Sequence, residues 1–308
     1  MGDWSLIGVR FALYLTLAGL FGLSAFSLYG LKGRERGDAL ALRAWLVATA
    51  ALSLLLSLAW VVLMASSMAG TPAWPIDQEA IAELLTGSAI GAAWKLRMVV
   101  LVLATGAAFF AAGRGVLLSA VALCSAVALA TLAWTGHGAM DEAASGWVHL
   151  VADILHLLAS GAWVGALLGL LLLVSRPVAR IDAAHLGLTH RALHGFGAVG
   201  TAVVATIVVT GLVNGFMLVG VGNIAALPIT LYGQLLIAKL ALFVAMLGLA
   251  SLNRFRLTPM FERSIAAADH SSALGALRTS LAVETACVVA VLGLVAWLGT
   301  LAPPASAM

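Results

Sequence analysis

His149, Asp153 and His156 stand at positions i, i+4 and i+7 of an otherwise apolar stretch, Trp147 to Val174. At about 100° per residue the three fall on one stripe of a helix, spread over roughly 10 Å of its length. Imidazole suits copper, zinc, iron and nickel, and a nearby carboxylate either ligates the metal or orients an imidazole from behind. Leu150, Val151, Ile154, Leu155, Leu157 and Leu158 fill the positions between, and the run is long enough to cross a bilayer. Ionisable groups in such a place are costly and need partners. They point to a functional site, the plainer alternative being hydrogen-bonding glue between helices.

Further donors flank the stripe. Thr135-Gly136-His137-Gly138-Ala139-Met140 precedes it, so that His137 and Met140 can bend over the mouth near His149. Alone, His137 would be an ordinary surface histidine in a glycine turn. Met64 and Met68 are i and i+4 at the end of the second apolar run. Thioethers select Cu(I), although methionine is also common packing filler. The predicted metal set is therefore His137, Met140, His149, Asp153 and His156, with Met64 and Met68 beside it.

Three other polar features lie within apolar runs. Lys239 sits six residues into its run, and Asp153 is its natural countercharge, either as a structural ion pair or as a control on the charge of a pathway. Glu284, near the inner end of the last run, reads as an exit ligand, a proton carrier or a snorkelling side chain. Asn214 is expected to hydrogen-bond between helices, and Gly161, Gly165 and Gly169, four apart, to form a close-packing face. His185, His190 and His194 are expected at an interface around a loop.

The elements that position these groups follow from composition. The chain has 308 residues, 63% hydrophobic and 9% charged. A soluble domain carries about 25% charged residues, so this is an integral membrane protein whose first partner is the lipid bilayer. A net charge of +3 on scattered basic residues does not suggest nucleic acid. Cys124 and Cys287 lie inside apolar runs, which indicates neither a disulfide framework nor a redox motif. The chain carries no P-loop, dinucleotide fingerprint, serine nucleophile motif or HExxH, and it reads as a non-enzyme. The first run is too long for a signal-peptide core and is expected to stay as a helix.

Eight apolar runs, about 6–31, 43–65, 94–113, 115–135, 147–174, 193–219, 233–252 and 279–301, predict an all-α, polytopic membrane protein with eight transmembrane helices. With both termini outside, twelve of the sixteen Lys and Arg fall on inside connections. The positive-inside rule thus predicts outward, periplasmic termini and puts His149 near the outer mouth. Asp77, Glu79, Glu83, Asp141 and Glu142 then form an acidic outer face. The halves also resemble each other at an offset of 142 residues: Tyr14 aligns with His156, Gly91 with Gly233 and Arg97 with Lys239. The expectation is one integral membrane domain, 1–308, built of two four-helix repeats, 1–140 and 147–304. Only the second carries the stripe.

Thr135-Gly-His137-Gly, with Gly146-Trp-Val-His149-Leu-Val-Ala-Asp153-Ile-Leu-His156 through Trp163 and Gly165, resembles the copper resistance protein D (CopD) family. So do Tyr232-Gly233 through Lys239, Asn253-Arg254-Phe255-Arg256-Leu257-Thr-Pro259, and the end from Glu284 to Pro304. The resemblance covers the whole chain and implies an eight-helix protein of the bacterial inner membrane in copper homeostasis. It implies movement of copper, as Cu(I) or Cu(II), inward from the periplasm, with a periplasmic CopC-like copper-binding protein as partner. Few residues precede the first run, so that partner is expected to be a separate chain. By the same resemblance His137, His149, Asp153 and His156 are the positions that carry over.

Two alternatives stay open. One is a haem-binding membrane electron carrier or oxidoreductase, since embedded histidines hold haem axially. Against it, His149 and His156 share one helix, and the other runs offer no obvious mid-membrane histidine. The other is a copper-binding platform that does not transport.

Overall fold

The structure is a computed structural model and describes residues 4–33, 35–38, 40–111, 114–135, 144–177, 181–266 and 271–307. It is an all-α polytopic membrane protein, with eight helices long and apolar enough to span a bilayer and no strand among the described residues. These are α1 (Trp4–Gly30), α2 (Leu42–Ala69), α3 (Ala89–Ala111), α4 (Gly115–Ala130), α5 (Ala144–Val174), α6 (Ala183–Val219), α7 (Leu231–Leu252) and α8 (Ser271–Leu298).

Each helix coincides with a predicted apolar run, and the differences are at the ends. The sixth begins at Ala183 rather than near 193, because Asp182 caps it by accepting from the His185 amide at 2.8 Å. The third begins at Ala89, where the Ser88 hydroxyl takes the Gly91 amide at 3.0 Å. The eighth starts at Ser271, so Glu284 stands midway along it rather than near one end. Polar residues lower the hydropathy of a terminal turn without breaking its backbone ladder, and apolar runs therefore under-measure these helices. Beyond Leu252 the seventh continues through a π-helical turn, Asn253–Leu257, into a helix at Thr258–Ala266.

The first and fifth helices form the centre. Leu17, Leu20 and Phe26 of α1 and Ala166, Leu173 and Val174 of α5 have no exposed surface. Gly22 and Gly165 meet backbone to backbone: a Cβ on either would collide with the main chain of the other. Phe26 lies over Gly169, and Gly161 faces Phe21 and the Leu129 side chain of α4. The glycine stripe is thus the expected close-packing face, with van der Waals contact between backbones in place of a hydrophobic drive.

Around this pair, α2 and α4 flank α1, and α3 packs between them. On the other side α6 and α8 flank α5, and α7 packs on α8. The two groups of four differ in one respect that matters for function. α2 and α3 pack along their length, whereas α6 and α7 stand apart and leave a wall of α5 facing the space between them. Both are largely unburied within the chain.

Candidate metal centre

The stripe of α5 faces this space and meets a matching polar ladder on α6. Asn214 donates from Nδ2 to Oδ1 of Asp153 at 3.3 Å, the interhelical bond expected for it. One turn away, Nδ1 of His156 is 2.9 Å from the Thr210 hydroxyl. That hydroxyl has a single proton, and it is directed to the Thr206 carbonyl at 2.6 Å. Thr210 therefore accepts, and Nδ1 of His156 carries the hydrogen. A neutral imidazole so held presents the lone pair of Nε2, the tautomer that a metal ligand needs. The ring lies over Gly211 of α6, where a Cβ would be in ordinary van der Waals contact with Cε1 at 3.5 Å.

His149 is 3% exposed and acts electrostatically on Asp153. Across the gap, Lys239 of α7 acts on both Asp153 and His156. No ion pair joins it to Asp153 among the described residues. The structural pairing expected from sequence is thereby loosened to a through-space interaction: α5 and α7, which carry the two residues, are not among the helix pairs that pack closely. Asp153 is left with one lone-pair-rich oxygen beyond its bond to Asn214, with the His149 imidazole and the Lys239 ammonium acting on it. The arrangement can accept and orient a positively charged metal and regulate its charge.

Other predicted ligands are placed differently. His137 and Met140, with Asp141 and Glu142, lie outside the described residues. Met64 packs into the apolar core and Met68 is 63% exposed; their helix packs chiefly on α1 and α3, while the partners of the stripe lie on α6 and α7. Among the described residues no three of His, Cys, Asp and Glu converge tightly enough to hold a metal ion. Glu79 and Glu83 are exposed on a short helix, Gln78–Gly87, capped by Asp77.

The equivalent of the stripe in the first half has no histidine. Tyr14 and Arg97 act on one another electrostatically, as His156 and Lys239 do. Arg97 has no exposed surface; its Nε donates to the Thr131 hydroxyl at 2.8 Å, and its guanidinium lies 5.4 Å from the Trp60 ring centroid.

The three loop histidines lie on α6. His185 is buried and ties its start to the end of α5, with Nε2 at 2.9 Å from the Leu173 carbonyl and Nδ1 at 3.2 Å from Nη1 of Arg176. His190 stands 3.7 Å from the Glu262 carboxylate. Glu284 is 1% exposed and accepts from Nε1 of Trp163 and Nδ2 of Asn253, each at 2.9 Å. Sequence reasoning did not single out Thr210 or Asn253 as functional. Thr210 has a legible signal, a hydroxyl four residues before Asn214 on the same helix face, whereas Asn253 is delivered by a π turn that has no pattern in sequence.

Comparison with known proteins shows the family. Residues 1–147 match the model of the copper resistance protein D-like N-terminal domain, and residues 190–298 match that of copper resistance protein D. Copper resistance protein D of Pseudomonas syringae pv. tomato is 46% identical over 307 residues, covering 98% of each chain. Copper transport protein CutJ of Bacillus subtilis (strain 168) is 34% identical over 132 residues, which is 43% of this chain and 23% of that protein. No solved structure matches. The chain belongs to the copper resistance protein D family.

Proposed function

We propose that this protein binds copper at the α5–α6 ladder, on the side of the membrane where its termini lie, and passes it towards the opposite face. The observation that carries this is the fixed His156 ring, its Nδ1 bound to Thr210 and its Nε2 left for a ligand, one turn from Asp153. The side is that of the periplasm of a bacterial inner membrane, by the placing of Lys and Arg on the other connections. His149, with His137 and Met140 of the preceding loop, collects the ion. Asp153 and His156 receive it, and Met64 and Met68 form a soft accessory surface. A separate periplasmic CopC-like protein delivers the ion to the acidic face. The names of the relatives, copper resistance protein D and copper transport protein CutJ, support copper over zinc or iron.

The chain is one membrane domain of two four-helix repeats. In support, Gly91 packs its backbone on Leu84 and Leu85 of the short helix before α3, and Gly233 does so on Leu227 before α7, positions offset by the same interval as the sequence repeat. The repeats have diverged where α6 and α7 separate, which opens the second half only. Without a nucleotide-binding motif, inward movement is driven by the membrane potential, worth about 2.3 kcal/mol per charge per 100 mV, or by delivery from the partner.

Radiocopper uptake into proteoliposomes with an inside-negative potential tests the proposal. Uptake by the protein and its loss in a His149→Ala/His156→Ala variant is expected. Copper binding without uptake would make the protein a platform and sink the transport step.

A further inference from the structure

A second polar centre lies beside the π turn that follows α7. A half-open cavity of about 610 Å³ is lined by α5, α6, α7, α8 and the π turn after α7. Its walls are apolar, with Trp163, Leu167, Leu193, Phe196 and Leu281 among them. Within this wall stand Glu284, 1% exposed, and Asn253, 8% exposed. Both hydrogen bonds to the Glu284 carboxylate come from uncharged donors, Trp163 and Asn253. The Asn253 amide gives one Nδ2 hydrogen to Glu284, and its Oδ1 is buried and has no hydrogen-bond partner among the described residues.

The charged and titratable groups lining the cavity are Glu284, His194 and Arg254. The guanidinium of Arg254 bonds the Gly197 carbonyl at 2.9 Å and the Thr201 hydroxyl, two other residues of the wall, and makes no ion pair with Glu284 among the described residues. α5 and α7 contribute no charge to the lining. A carboxylate and an orphaned amide oxygen thus share an apolar cavity with no cation held against them. Buried acceptors of this kind are costly unless a donor or cation meets them.

We propose that Glu284 and Asn253 form a binding site for a hard monovalent alkali cation, with Na⁺ as the ion it takes. Oxygen donors select hard cations, whereas copper as Cu(I) selects sulfur and imidazole. A single carboxylate neutralises a single charge, and a divalent ion would leave an uncompensated charge in the apolar wall. The π turn is what delivers Asn253, in keeping with the frequent use of such turns at functional sites. The site is separate from the α5–α6 ladder and does not rest on copper binding there.

Radioactive sodium binding to the purified protein in nanodiscs, at constant ionic strength with choline as the replacement, tests this. Saturable binding of a single ion per chain is expected, displaced by unlabelled Na⁺ and not by choline. Glu284→Gln, which keeps the side-chain shape, should weaken it by about tenfold or more, as loss of a charged partner does. Asn253→Ala should weaken it as well, and His149→Ala/His156→Ala should leave it intact. Absence of saturable binding in the unaltered protein, or undiminished binding in Glu284→Gln, would overturn the site. So would a stability step with pH in sodium-free buffer that vanishes in Glu284→Gln while sodium has no effect, since the carboxylate would then hold a proton instead.

Discussion

His156 gives its Nδ1 hydrogen to the Thr210 hydroxyl across the α5–α6 interface, at 2.9 Å, because that hydroxyl has already given its own to Thr206. A threonine on a neighbouring helix thereby decides which nitrogen of the histidine faces the gap. The relationship makes α6 a positioning element for the proposed copper site, in the way carboxylates and carbonyls behind metal-bound histidines commonly are.

Thr210 is therefore expected to control copper affinity without touching the metal. Thr210→Val keeps the volume and removes the acceptor, and copper binding should weaken by about tenfold to a hundredfold. Thr210→Ser should restore most of it. Competition titration with a copper chelator reads both, and equal affinities for all three proteins would remove Thr210 from the account.

Lys239 should restrain copper binding, since it acts on Asp153 and His156 across the gap rather than through a closed ion pair. Lys239→Met is expected to raise copper affinity several-fold, the like-charge repulsion being removed. The gain should shrink when Asp153→Asn is added, because the two positions share one electrostatic interaction and their effects will not add. A chelator titration over the four proteins measures the coupling.

The contact between Gly22 and Gly165 should be essential to the fold. Gly165→Leu would force α1 and α5 apart along their shared core, and overpacking costs about 1–3 kcal/mol or more. A lower melting temperature in detergent, or loss of the monodisperse species, is expected. Leu at the open Gly8 or Gly248, where a Cβ meets nothing, should have little effect.

Topology has a direct check. A cysteine placed at the exposed Trp74 should react with a membrane-impermeant thiol reagent applied to whole spheroplasts, and one at the exposed Arg256 should not. The reverse pattern would invert the proposed direction of copper movement.

The eight helices were legible in sequence because each is a long apolar run, and the glycine face of α5 because its four-residue spacing survives any error in helix ends. The stripe was legible for the same reason. Its environment was only half so: Asn214 signals itself as a lone amide in an apolar run, but the separation of α6 from α7 is a tertiary fact. The distance between α5 and α7 is another, and it leaves Lys239 and Asp153 acting on each other without closing into an ion pair. Glu284 was visible as an expensive carboxylate, yet its partner Asn253 and its mid-helix place depend on the π turn and on an early start of α8. Hydropathy does not report either.

The central claim is that His149 and His156 hold copper in this protein. Metal analysis of the purified, copper-loaded protein beside the His149→Ala/His156→Ala variant tests it most directly. Copper is expected on the unaltered protein and is expected to be lost from a variant that remains folded. Equal copper in the two proteins would contradict it.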